Sequence, residues 1–133
     1  MKRVALTWRH DLLFQGVGAG NAPVTIDGDN AQGPGPMESL LLALAACTGS
    51  DVVSILKKKR VALAAFAVRV EGDRREEYPK RYVAIRLTYD FSAPGLTQDA
   101  AEQAIALSLE KYCSVTHSLN PDIPISHAIV IRP

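Results

Sequence analysis

Cys47 and Cys113 are the residues of this sequence with the widest chemical reach. A thiolate attacks peroxides and disulfides, and two thiols brought together can close a disulfide of their own. The two stand 66 residues apart, in different elements, each in apolar surroundings that read as helical. The structural alternative is a pair of buried free cysteines, a frequent role of this residue type. Cys113 follows Glu110-Lys111-Tyr112, which is not a core run. A helical segment beginning there would offer backbone N–H groups to a thiolate. Cys47 lies inside a long helical run, gains little from that helix's own dipole, and needs a cation from elsewhere.

Glu38 is the next candidate, at the start of the same run. Its plain structural role is to offset the positive end of the helix dipole. Nine positions later, Cys47 is about 180° around and roughly 13.5 Å along a regular helix. Glu38 and Cys47 therefore face opposite sides, and a glutamate working with this thiol needs an arginine relay or a second subunit. Cys113 and His117 stand four apart and share a helix face. Two ligands are not a metal site, and His10, His127 and Cys47 join them only if the fold happens to bring them there. A Cys–His catalytic pair has no better support, since any pair at this spacing looks the same. No metal and no cofactor are expected. Asp51, one turn after Cys47, either caps or faces a polar seam. Gly16, Gly18 and Gly20 lack the following helix of a dinucleotide loop.

The elements that must position these residues are readable from periodicity. Val4, Leu6 and Trp8 alternate with polar or small residues at period two, with further short strands at 14–18 and 24–26. Asn21-Ala22-Pro23 and Asp27-Gly28-Asp29-Asn30 are turn chemistry. Gly33-Pro34-Gly35-Pro36 stops regular structure, and a helix over about 37–58 comes next. Its first half is apolar all round, which predicts burial on every side and a central position. Two alternating strands come after it, Phe66 to Glu71 and Val83 to Tyr89, with a charged connection between them. Thr97 can cap a second helix over about 98–112. A short helical segment over 113–120 and a final strand over 125–131 complete the order. Strands and helices do not alternate regularly, so the class is α+β with a mainly antiparallel sheet.

Composition narrows the function. With 133 residues, 47% hydrophobic and 22% charged, the chain suits one domain spanning residues 1–133. A net charge of +1 does not provide a strongly basic nucleic-acid surface, and the Lys57 to Arg60 cluster reads as a solvated helix end. Two cysteines do not make a disulfide-stapled miniprotein. The apolar run from Ser39 to Ser50 is shorter than the roughly 20 residues of a membrane span. No signal peptide is evident after Met1-Lys2-Arg3. The expectation is a soluble, cytoplasmic protein with no nucleic-acid or membrane partner.

Pro36-Met37-Glu38, Leu40-Leu41-Leu42, Ala46-Cys47 and Asp51-Val52-Val53-Ser54-Ile55-Leu56 together resemble the OsmC/Ohr family. The resemblance is greatest to its branch of small bacterial redox proteins. Arg74-Arg75-Glu76-Glu77 with Pro79, and Glu110-Lys111-Tyr112-Cys113-Ser114-Val115, fit that branch in the same order. The resemblance implies the OsmC α+β fold, an intertwined homodimer whose sheets wrap long central helices. It implies thiol-dependent reduction of organic hydroperoxides, with Cys47 as attacking thiol, Cys113 as resolving thiol and an Arg–Glu pair activating the thiolate. Glu38 is the candidate glutamate and Arg9 the candidate arginine. The partners implied are a small peroxide and a thiol reductant. Three positions depart from the family pattern: Met37 stands where the Ohr-type glutamate follows the proline, Ser114 replaces the usual proline after the second cysteine, and the arginine has no clear match. The alternative is a non-catalytic member binding a small apolar or thiol-bearing ligand.

Overall fold

The computed structural model describes residues 1–20 and 22–133. The turn expected at Asn21-Ala22-Pro23 lies partly outside the described residues. The chain forms two compact units, Met1–Leu40 and Leu41–Pro133.

The first unit is a three-stranded antiparallel meander, β1 (Ala5–His10), β2 (Leu13–Val17) and β3 (Val24–Asp27), followed by the start of the long helix. Trp8 pairs with Phe14 and Leu13 with Asp27. The β1–β2 turn is tight, and Asp11 adopts φ 46° there, a left-handed conformation that Asp tolerates better than most residues. β1 is exposed along its whole length, with Leu6 and Trp8 both more than half open. The alternation thus marks the strand correctly, but its apolar side is not covered. After β3 the chain turns around the buried Asp27 carboxylate, which accepts hydrogen bonds from the backbone N–H groups of Asp29 and Gln32 at 2.9 and 3.0 Å. These bonds, that of Asp29 first, hold the Asp27 carboxyl below its usual range.

Helix α1 (Pro36–Lys58) begins in the first unit and runs on into the second. Pro36 takes the first helical position, where a missing N–H costs nothing. The Glu38 side chain reaches back to the Gly35 N–H at 3.1 Å, half of a capping box. Lys57 and Lys58 close the last turn, where cations suit the dipole.

In the second unit, β4 (Ala65–Arg74), β5 (Tyr82–Ser92) and β6 (Ile125–Arg132) form a sheet in the order β4-β5-β6. β4 and β5 are antiparallel with Val68 opposite Tyr89. β5 and β6 are parallel, Tyr89 lying beside Ile129. A parallel pair requires a crossover, and α2 (Gln98–Leu107), a π-helical turn (Ser108–Tyr112) and α3 (Ser114–Ser118) supply it. The helix expected over 98–112 is therefore α-helical only to Leu107. Thr97 caps α2 by accepting the Ala100 N–H at 3.1 Å. The architecture is α+β with mainly antiparallel pairing, as the element order predicts.

The core of this unit gathers Leu44, Val52 and Leu56 of α1, Ile85, Leu87, Tyr89 and Phe91 of β5, and Ala101, Ala104 and Ile105 of α2. Burying each Leu, Ile or Val side chain contributes about 1.5–3 kcal/mol. α1 faces β4 at Gly49, where a Cβ would meet Val68 Cγ2 at 3.6 Å and the Phe66 ring at 3.7 Å, both ordinary contact distances. Beside this approach α1 is open: Leu42 is 58% and Val53 41% exposed. The expected burial on every side is thus met on one side only within a single chain. By length and composition alone α1 could cross a membrane. Its Leu44, Thr48, Val52 and Leu56 are nevertheless packed within this unit.

Candidate functional site

Leu44, Thr48, Val52 and Leu56 recur every fourth residue and form the buried stripe of α1. Cys47 stands beside that stripe and is half-buried. Cys113 comes directly after the π-helical turn and caps α3, with its backbone N–H donated to the Ser108 carbonyl at 2.7 Å. A π-helical turn sets the bond to the fifth residue back and rotates the residues after it, and such turns recur at functional sites. Here it swings Cys113 inward, where it is fully buried.

Both cysteines are free thiols, and the fold brings them near enough for Cys47 to bear on the Cys113 thiol. Burial pushes the Cys113 thiol above its ordinary range. The Thr116 hydroxyl and N–H, one turn along α3, pull it down, and Cys47 adds a smaller push upward. Thr116 Oγ1 is itself buried without a hydrogen-bond partner, so it bears on Cys113 as a neighbouring dipole. The sequence argument that a helix start favours a thiolate at Cys113 is therefore corrected. α3 has five residues, and its dipole and N–H groups do not outweigh desolvation.

Behind the thiols runs a buried polar seam. Thr48 Oγ1 lies 2.8 Å from both Tyr89 Oη and Ser108 Oγ, and Ser108 donates to Asp51 Oδ2 at 2.9 Å. Thr48, Tyr89 and Ser108 are fully buried. Desolvation pushes the Tyr89 phenol up to about 12, against the pull of Thr48, with Cys113 and Asp51 adding to the rise. Leaving one such group unpartnered costs about 1–3 kcal/mol. Of the four residues the sequence singled out only Asp51, as facing either a cap or a seam; the seam is what it faces. Thr48 and Ser108, hydroxyls on otherwise apolar helix faces, were the available signal for the others.

The remaining candidates lie elsewhere. Glu38 belongs to the first unit, where its carboxylate accepts from the Asn30 side chain and the Gly35 N–H. These bonds, the Asn30 one first, hold its carboxyl below the usual range. They fasten the preceding loop to the start of α1. Arg9, also in the first unit, donates to Gln15 Oε1 at 2.6 Å. His117 turns its Nε2–H toward the Glu110 carbonyl at 3.1 Å rather than toward Cys113. His10 meets Asp11, and His127 meets Glu102 at 2.9 Å. Among the described residues, no group of three or more His, Cys, Asp or Glu is placed to hold a metal ion.

A broad apolar groove of about 630 Å³ runs between α1 and β4, lined by Ala46, Gly49, Val53, Phe66 and Val68 among others. Ala46 brings its edge to the residue before Cys47. The site thus consists of a half-open thiol and a buried one, with an apolar groove that begins one residue before the first.

Known proteins carry the same arrangement of elements. Residues 27–128 match the family described as OsmC-like protein. The chain is 36% identical over 122 residues to Protein YhfA of Escherichia coli strain K12, covering 91% of each chain. A hypothetical protein from Aquifex aeolicus VF5 superposes with a TM-score of 0.86 and 33% identity, over 100% of this chain and 98% of that one. An organic hydroperoxide resistance protein OsmC from Legionella pneumophila has the same fold at 13% identity, with a TM-score of 0.70 over 98% of this chain and 96% of its own. With the match spanning most of its length and more than a third of aligned positions shared with YhfA, the chain belongs to the OsmC-like protein family.

Proposed function

We propose that the protein is a thiol-dependent peroxidase for organic hydroperoxides, a single OsmC-like domain acting as a cytoplasmic homodimer without cofactor or metal. Family membership supports the coarser reading, a stress-related redox function. The observation that carries the finer one is the pairing of two reduced thiols, one half-exposed and one buried.

Cys47 is the attacking thiol in this reading. Its thiolate attacks one peroxide oxygen, the O–O bond breaks, and the alkoxide leaves and is protonated to the alcohol. Cys47 becomes a sulfenic acid. Cys113 then attacks the Cys47 sulfur: the S–S bond forms, the S–O bond breaks, and hydroxide departs with the thiol proton as water. An external dithiol restores both thiols by exchange. Cys113 suits the second step because its raised pKa keeps it a thiol until the sulfenic acid is beside it. The apolar groove beside Cys47 favours an organic peroxide over hydrogen peroxide. The open face of α1, with Leu42 and Val53, supports a second copy as its cover. Glu38 takes part in activation through an arginine relay or through residues of a partner chain.

The same groove also suits the second reading, a non-catalytic protein binding a small apolar or thiol-bearing ligand. Peroxide consumption with cumene hydroperoxide and a dithiol reductant, with thiols titrated before and after, separates the two. Turnover with loss of two thiols per chain is expected. Binding of the peroxide or its alcohol without consumption would favour the second.

A further inference from the structure

The buried hydroxyls of the seam admit one donor assignment. The Asp51 carboxylate only accepts, so Ser108 spends its single proton on Asp51 Oδ2. The Thr48–Ser108 bond must then be donated by Thr48, and the Tyr89–Thr48 bond by Tyr89. Every O–H points the same way, from Tyr89 through Thr48 and Ser108 to a negative charge. Such a chain polarises along its length and is stiffer than isolated bonds.

Its place in the fold gives it a task. Thr48 is the residue directly after Cys47 on α1, and the Ser108 carbonyl receives the Cys113 N–H at 2.7 Å. The Thr48–Ser108 bond joins residues 60 apart in sequence. Thr48, that bond and Ser108 thus link the two cysteines by a route outside their own contact. An apolar seam would fill the same space without desolvating three hydroxyls. What the polar seam adds is a fixed register between α1 and the π-helical turn.

We propose that Thr48, Ser108 and Asp51, backed by Tyr89, are positioning residues that hold Cys47 and Cys113 at disulfide-forming distance. This rests on the two-thiol reading given above, but its test needs no peroxide. The full-length protein is equilibrated with glutathione redox buffers, in which one oxidised glutathione accepts two electrons and leaves two reduced glutathiones as the protein disulfide closes. The effective molarity of the thiol pair is read from the fraction oxidised. Thr48→Val is expected to lower it about tenfold, the equivalent of roughly one lost buried hydrogen bond. Thr48→Ser, which keeps the hydroxyl, should restore it to within about twofold, and Asp51→Asn should fall between. A structural role alone would lower the melting temperature of Thr48→Val and leave the effective molarity unchanged, which overturns the inference. If Thr48→Val does not fold, an unchanged value in Asp51→Asn overturns it equally. A parent protein that forms no Cys47–Cys113 disulfide in any buffer also overturns it. A parent with a high effective molarity that consumes no peroxide instead removes the peroxidase reading and leaves the positioning role standing.

Discussion

Cys47 and Cys113 belong to the same site but to opposite environments. Cys47 stands half-buried on the long helix α1, one residue after Ala46 of an apolar groove. Cys113 stands after a π-helical turn, fully buried. A reagent arriving from solvent has access to the first thiol and not to the second. A two-step thiol reaction needs this division, because an exposed resolving thiol would itself be open to oxidation.

The largest expected effects come from removing either side of the pair. Cys47→Ser should reduce peroxide consumption to background, while Cys113→Ser should allow one turnover and then stall. Mass spectrometry after one equivalent of organic hydroperoxide reads the difference directly: a sulfenic acid on Cys47 in the Cys113→Ser protein. A sulfenic acid trapped on Cys113 in the Cys47→Ser protein, and none on Cys47 in the other, would reverse the roles.

The open side of Cys47 depends on what covers α1. Leu42→Lys places a charge on the exposed apolar face. It should weaken self-association by at least about tenfold, through the burial cost of one unpaired charge at an interface. Light scattering at micromolar concentration should give a dimer for the parent and a smaller mass for the variant. A parent that is cleanly monomeric would remove the homodimer from the reading.

The closed side of Cys113 has a signature at high pH. Below pH 10 the Tyr89 phenol keeps its proton folded and unfolded. Above its unfolded value of 10.0 the unfolded chain loses that proton, while the folded phenol holds it up to about 12. Folding stability should therefore fall as pH rises across that window, by at most about 3 kcal/mol from this group. Denaturant midpoints measured against pH should show the slope, and Tyr89→Phe should flatten it while lowering stability at neutral pH by about 1 kcal/mol.

The smallest effect expected is at Thr116. Thr116→Val removes the hydroxyl that opposes burial at Cys113 and leaves the backbone N–H in place. The Cys113 thiol should move further up, and the pH profile of disulfide formation should shift to higher pH with it. Thr116→Ser should return the profile. An unmoved profile would mean that the hydroxyl only fills space.

Much of the scaffold was legible because it is local. The period-two strands and the Pro36–Lys58 helix arise from spacing and caps that lie within a few residues of each other. Thr97 at the head of α2 is such a cap. The two cysteines, as a pair of thiols, were also plain from residue type. The break of the second helix at Ser108 was not, because a π-helical turn uses the same residues as an α-helix and differs only in which carbonyl each N–H finds. The parallel pairing of β5 with β6 was equally hidden, since strand direction depends on how a crossover of some thirty residues lies across the sheet.

What the sequence determined by itself, then, was the kind of chemistry and the elements that carry it: thiols, an apolar central helix and an α+β order. Tertiary structure decided the difference between the thiols. A sequence argument weighs Cys113 by its neighbours along the chain, and a helix start then favours a thiolate. The pKa of a thiol responds instead to the whole sphere around the sulfur. At Cys113 that sphere is filled by residues as distant as Cys47, and desolvation prevails over five residues of helix. Thr48, Ser108 and Asp51 became one seam for the same reason: hydrogen bonds between residues some sixty apart exist only once the fold has brought α1 and the π-helical turn together.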